Sequence, residues 1–380
     1  MTLQEVRELF PHIKNGKIYF NNAATGPFSK NVLKTVNEYL LQRSETDIDN
    51  FPELIKAVVE TKNYLSKMLN SSSDRLAYID NTSNGMNILA QGLKWKRGDS
   101  ILLNDIEFPA NVYPFINLER EGVEVQFIKS KNGIVSADDV INSITPNTKL
   151  VSISFVQFLS GYRVDLEKIG NVCREKGIVF SVDAIQGLGA FTLDVEKCKI
   201  DFISCGTAKW LLGMQGLAFV YVSEKLQQML QPKYVGWLSV EDAWNILDFN
   251  LKLKNTADAF QGGTINALGV FGLLPALKLF ADFGNENVEK RILENSIHFT
   301  KRLIEIGIHP VLENCEKENL SGIISFKHEK ANHILDELRK KEIYCSVREG
   351  MVRLSPHFYN TFEEIDLVAD EIKNILRVSQ

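Results

Sequence analysis

Nothing in this chain approaches the roughly twenty consecutive apolar residues that a bilayer-spanning helix needs. The opening segment, MTLQEVRELFPHIKNGK, has neither a long apolar core nor a small-residue cleavage site. A soluble, cytoplasmic protein without a membrane partner is therefore expected. The cysteines are five and scattered (Cys173, Cys198, Cys205, Cys315, Cys345), with no CxxC pair, which argues against a disulfide framework and against a zinc knuckle. The six histidines form no HExxH or similar spacing, so no metal is expected. Charge of one sign is scarce too. The 43 basic and 48 acidic residues leave a formal net charge of -5, which gives no electrostatic footprint for nucleic acid and points to a small-molecule partner.

What is present is enough apolar residue, 44% of 380, to build more than one core. Helical spacing of Val32, Val36, Tyr39 and Leu40, and again from Leu54 to Leu69, predicts helices in the first seventy residues. The middle third changes period. Short apolar runs (Ser100 to Leu103, Val123 to Ile128, Leu150 to Phe155, Ile178 to Val182, Phe202 to Ser204, Ala218 to Val222) alternate with helical or turn segments, as in a mostly parallel sheet covered on both faces. Beyond about residue 285 the order is helix, strand, helix, strand, strand, helix, a smaller α+β unit. The expected division is an N-terminal segment, 1–18, packing on the small domain; a large α/β domain, 19–270; and a small C-terminal α+β domain, 271–380.

In such sheets ligands sit at the carboxyl ends of strands. One apolar run enters Cys205-Gly-Thr-Ala-Lys209-Trp-Leu-Leu-Gly213, which places a lysine just past a strand end. A lone lysine there reads as a surface residue with its head in water. In a partly desolvated pocket, its amine has a lowered pKa and condenses with an aldehyde. A second run ends in Asp183-Ala-Ile-Gln186, and a buried carboxylate there holds the ring nitrogen of pyridoxal in its protonated form. Taken alone, Asp183 reads equally as the N-cap of a following helix and Gln186 as its capping-box partner. The hydroxyl-rich Asn81-Thr82-Ser83-Asn84 precedes an apolar-periodic stretch, which suits either an ordinary cap or a phosphate held at a helix N-terminus.

Seven segments together, NNAATGP (21–27), NTSNGMN (81–87), EFPAN (107–111), SVDAIQ (181–186), CGTAKWLLG (205–213), FQGGTIN (260–266) and VRLSPHFYNT (352–361), resemble in order and spacing the class V aminotransferase family. That family includes cysteine desulfurases, selenocysteine lyases, kynureninases and isopenicillin N epimerase-like proteins. The resemblance implies fold type I of the pyridoxal-phosphate enzymes, with a seven-stranded-type sheet, and a homodimer with shared active sites. It makes Lys209 the Schiff-base lysine, Asp183 the partner of the pyridine nitrogen, Gln186 a donor to the ring oxygen and Phe108 the group stacked on the ring face. Thr82, Ser83 and Thr207 become phosphate ligands, and Thr264 reaches the phosphate from the other subunit. Arg353 and Asn22 are implied to bind substrate, the arginine through the substrate carboxylate.

The chain also departs from its relatives. Where many desulfurases carry a serine and a histidine before the lysine, it has Gly206 and Ala208. The stacking histidine is Phe108, and an asparagine near the substrate is Phe158, which implies a more apolar pocket. Between Arg348 and Arg353 there is only Glu349-Gly-Met-Val352, without the cysteine-bearing loop of the desulfurases, and Cys345 reads as an inert strand thiol. The expected activity is transamination or lyase chemistry at the α-carbon of a small amino acid. Desulfurase-like or epimerase activity, a cofactor-binding protein without turnover, and a binding module for some other phosphate ligand are the alternatives.

Overall fold

The computed structural model describes residues 1–378. A seven-stranded sheet is made of β1 (Leu76–Ile79), β2 (Ser100–Asn104), β3 (Glu124–Ile128), β4 (Thr148–Ser154), β5 (Val179–Asp183), β6 (Phe202–Gly206) and β7 (Ala218–Val222). Their spatial order is β1-β7-β6-β5-β4-β2-β3. Neighbours from β3 to β6 run parallel, and β7 is antiparallel to both β6 and β1. Strands β2, β5 and β7 are buried from end to end, so SILLN, VFSVD and AFVYV show little polar alternation. The registers Ser154 with Asp183 and Asp183 with Ser204 bring the carboxyl ends of β4, β5 and β6 side by side. A ligand crevice is expected at that edge.

Among the helices, α1 (Lys30–Glu45), α2 (Phe51–Leu69), α3 (Thr82–Gly92) and α4 (Leu166–Lys176) belong to the large unit. Helix α4 shows how local chemistry sets the bounds. Asp165 caps its start by accepting from the Lys168 N–H, Leu166, Ile169 and Cys173 face the core, and Gly177 ends it at φ 69°. Helix α5 (Ala267–Phe283) runs through the point of the expected division at 270/271. Its length packs against α1 and α2, and its buried residues join the large core. One helix presenting a continuous apolar face cannot change cores partway.

The smaller unit starts with α6 (Asn285–Glu305) and adds α7 (Ala331–Lys340) and α8 (Phe362–Val378). These cover an antiparallel sheet of β8 (Ile324–Lys327), β9 (Ser346–Arg348) and β10 (Met351–Leu354), ordered β9-β10-β8. Phe299, Phe326, Leu338, Val352 and Ile372 fill the core between them. The N-terminal segment docks here: Phe20 enters that core, Ile18–Tyr19 pairs in parallel with Ile343–Tyr344, and Arg7 meets Glu364 at 2.6 Å. No single helix among the described residues is long and apolar enough to cross a membrane.

Candidate active site

The two residues singled out at strand ends sit together. Asp183, the last residue of β5, is buried; its Oδ1 accepts from the Ile185 N–H at 3.0 Å, and its other oxygen has no protein donor among the described residues. Burial pushes its carboxyl up to about 7, Glu107 adds to the rise, and the Lys209 charge opposes it. The chain leaves β5 in a turn, not in the helix that would have made Asp183 an N-cap and Gln186 its box partner. Lys209 lies three residues beyond β6, with its ammonium 5.5 Å from the Phe108 ring centroid. Burial brings its amine down to about 8; Asp183 acts against that fall, and Arg353 and Arg348 add to it. An amine poised there is a nucleophile near neutral pH.

The backbone of the lysine loop is gripped from three sides. Gly26 donates its N–H to Ala208 O at 2.8 Å, and a Cβ on Gly26 would lie 2.4 Å from Lys209 O, so only glycine permits that approach. Trp210 Nε1–H donates to Gln186 Oε1 at 2.9 Å, and Gln186 Nε2 donates to Ala23 O at 2.9 Å. One N–H of Gln186 remains. From the small unit, His357 Nδ1 accepts from the Phe358 N–H at 2.9 Å, which leaves Nε2–H to donate to Trp210 O at 3.0 Å. Burial takes the His357 imidazole down to about 4, so it is neutral at physiological pH.

Helix α3 points its N-terminus at the same edge. Asn81 caps it by accepting from the Asn84 N–H at 2.9 Å, while the first-turn N–H groups of Thr82 and Ser83 have no helical partner. The Thr82 Oγ1 accepts from the Gly206 N–H at 3.1 Å, which ties this helix start to the end of β6. Ser83 is exposed and lines a hollow of about 510 Å³ together with Asn87, Phe108 and Tyr113.

Arg353 stands on β10, buried, donating from one guanidinium nitrogen to Phe158 O at 2.7 Å and from Nε to Ser346 Oγ at 3.3 Å. No carboxylate pairs with it among the described residues, and burial with the nearby Arg348 charge brings it down to about 10. A buried guanidinium without an anion is costly unless a ligand supplies one. Phe158 also meets Phe108 edge to face at 5.3 Å, so the two arenes form one wall between Lys209 and Arg353.

Two expected ligands do other work. The Thr207 hydroxyl is buried and shares its single proton between Leu217 O at 2.9 Å and Met214 O at 3.0 Å, closing its own loop. Asn22 is fully buried; its Nδ2 donates to Ser355 O at 2.9 Å and its Oδ1 accepts from Tyr359 Oη at 3.2 Å, joining the N-terminal segment to the small unit. Thr264 is exposed on a loop bordering a separate cleft of about 890 Å³ with Asn84, Lys233, Gly262 and Gly263.

Sequence reasoning passed over Glu107. Its buried carboxylate accepts from Asn104 Nδ2 (2.6 Å), Ser154 N (2.8 Å), Gln157 Nε2 (2.9 Å), Asn111 Nδ2 (3.1 Å) and Ser154 Oγ (2.5 Å). Those bonds fasten the Phe108 segment to the end of β4. The only hint in the sequence was an acid beside Phe108 in EFPAN.

The family model for aminotransferase class-V matches residues 18–368. The chain belongs to that family. A probable cysteine desulfurase of Methanothermobacter thermautotrophicus is 28% identical over 408 residues, covering 99% of this chain and 98% of its own. The uncharacterized aminotransferase YcbU of Bacillus subtilis is 26% identical, covering 97% of each. Among solved structures, the apo cysteine desulfurase of Thermococcus onnurineus NA1 superposes with a TM-score of 0.89 at 23% identity, covering 99% of this chain and 98% of that one. A mutant of C-DES with glycine covalently linked to its PLP cofactor gives 0.88 at 23% identity, covering 97% and 99%. These likenesses establish the fold type I architecture.

The short Arg348-to-Arg353 segment read from the sequence forms a tight turn in the backbone. Strands β9 and β10 join through Glu349 and Gly350 alone, at φ 48° and 74°, as in a two-residue type I′ hairpin. Cys345 is buried between strands and its thiol is pushed up to about 12.

Proposed function

We propose that this chain is a pyridoxal-phosphate-dependent enzyme acting at the α-carbon of an amino acid, with transferase or lyase chemistry and without a persulfide-carrying cysteine. The convergence of Lys209, Asp183 and Arg353, each lacking the partner its burial calls for, carries the reading. The residues suit the cofactor: a buried carboxylate awaits a cation, a helix start awaits an anion, and an amine of lowered pKa lies between them. When bound, pyridoxal phosphate supplies the aldehyde that condenses with Lys209 and a ring that withdraws electrons from the α-carbon.

The chain's own groups do the rest. Asp183 keeps the proton on the ring nitrogen, because a carboxylate buried at β5 is stabilised by the cation it faces. The Thr82 and Ser83 amides and hydroxyls hold the phosphate, the spare N–H of Gln186 meets the ring oxygen, and Phe108 covers the ring and excludes water. Arg353 orients the substrate carboxylate, and the Lys209 amine moves the α-proton. With Phe108 and Phe158 as the wall, Lys209 is the proton carrier on that face, which favours outcomes one base serves alone.

A homodimer completes the site. The segment around residues 234–251 leaves Tyr234, Trp237, Trp244, Leu247 and Phe249 exposed, the last two at 84% and 92%, close to the Thr264 loop. Apolar exposure on that scale marks an interface, from which Thr264 reaches the partner's phosphate. Purified protein supplied with the cofactor is expected to show the visible band of a Schiff base conjugated to the ring. The band is expected to vanish in Lys209→Ala, and its persistence there would overturn the reading. A panel of amino acids should then yield keto acid or ammonia, with no persulfide trapped on the protein.

A further inference from the structure

The β9–β10 hairpin carries a second arginine, exposed, on the face that bears Arg353. Ser346 pairs with Arg353 and Arg348 with Met351, so these four side chains share one face of the hairpin, while Val347 and Val352 turn to the small core. The shared face is the one that meets the large unit, since Arg353 donates to Phe158 O and Ser325, its neighbour on β8, donates to Leu159 O at 2.6 Å. Arg348 lies two residues along β9 from the position opposite Arg353, a diagonal separation of about 7–8 Å between backbones. Its guanidinium donates to Val347 O at 2.9 Å, and among the described residues no carboxylate pairs with it.

The tight Glu349-Gly350 turn removes any loop that could cover this arginine from its own hairpin. The fields of Lys209, Arg348 and Arg353 overlap, since both arginines depress the Lys209 amine and Arg348 depresses Arg353. In a chain of net charge -5, one face of the hairpin thus holds two guanidinium groups without a carboxylate partner among the described residues, Arg353 buried and Arg348 exposed.

We infer that Arg348 forms a second anion subsite and that the substrate is an α-amino acid whose side chain ends in an acidic group. The inference rests on reading Arg353 as the receptor for the α-carboxylate. Arg353 then holds one end of the substrate, Arg348 the other, and the Phe108–Phe158 wall lines the methylenes between them. A neutral side chain of equal length leaves the Arg348 head in water and gains nothing from it.

The test is calorimetric titration of the holoenzyme with four acids: succinate and glutarate, and their monocarboxylate counterparts propionate and butyrate. A charge-assisted contact predicts that the diacids bind about tenfold tighter. Arg348→Gln is expected to erase that advantage while the monoacids still bind, and Arg348→Lys to restore part of it. Equal binding of diacid and monoacid in the wild type overturns the inference. So does an advantage that survives in Arg348→Gln, or a failure of every acid to bind. A cofactor band unaffected by Lys209→Ala would instead overturn the functional reading, which keeps the two failures apart.

Discussion

Asp183 lowers the stability of the cofactor-free protein, and the effect has a definite sign. The carboxyl is buried with a single backbone donor, and burial raises it from 3.8 to about 7. A carboxyl raised in the folded state binds its proton more tightly there than in the unfolded chain. Its stabilising contribution is therefore complete below pH ~4 and is lost as pH climbs toward 7. Three units at about 1.4 kcal/mol each make the loss about 4 kcal/mol, a large share of a typical domain's stability. Asp183→Asn has no charge to bury. Urea unfolding of the two cofactor-free proteins between pH 5 and 8 should show the variant gaining steadily on the wild type, until it is the more stable above pH 7. Adding the cofactor should reverse the order, because only the carboxylate gains a cation. Parallel unfolding midpoints for wild type and variant across the whole pH range would refute the reasoning.

The same geometry sets other outcomes. With the Lys209 amine at about 8, the rate of cofactor loading should rise from pH 6.5 to 9 and level off above, as measured by stopped-flow absorbance. Gly26→Ala places a Cβ 2.4 Å from Lys209 O. It should cost about 1–3 kcal/mol in thermal denaturation and slow cofactor loading. His357→Phe keeps the ring stack on Tyr359 (5.6 Å between centroids) but leaves Trp210 O without its donor. A loss of about 1–3 kcal/mol is expected, with a shift in the pH at which the cofactor band changes, and His357→Asn should recover part of both.

Much of this site could be read directly. Lys209 and Asp183 each come just after an apolar run, and runs buried on both faces are visible in composition alone, so the strand ends, and with them the candidate site, lay in plain view. Helix α7 and strand β10 take their places in the expected order beyond residue 285 because amphipathic period and flanking turns are local properties. Glu107 escaped notice because its five donors come from four residues on separate segments.

By itself, then, the sequence determined the alternation of strands and helices, the lysine and aspartate at strand ends, and the lack of a loop between Arg348 and Arg353. Tertiary structure alone decided where each polar side chain points. Asn22 bonds to Ser355 and Tyr359, over 330 residues away, and Thr207 turns inward to Met214 and Leu217. It also decided that α5 stays with the large core and that Arg348 shares a face with Arg353. Hydrophobic period depends on neighbours along the chain, whereas a hydrogen bond's direction and a hairpin's register depend on partners that only folding brings together.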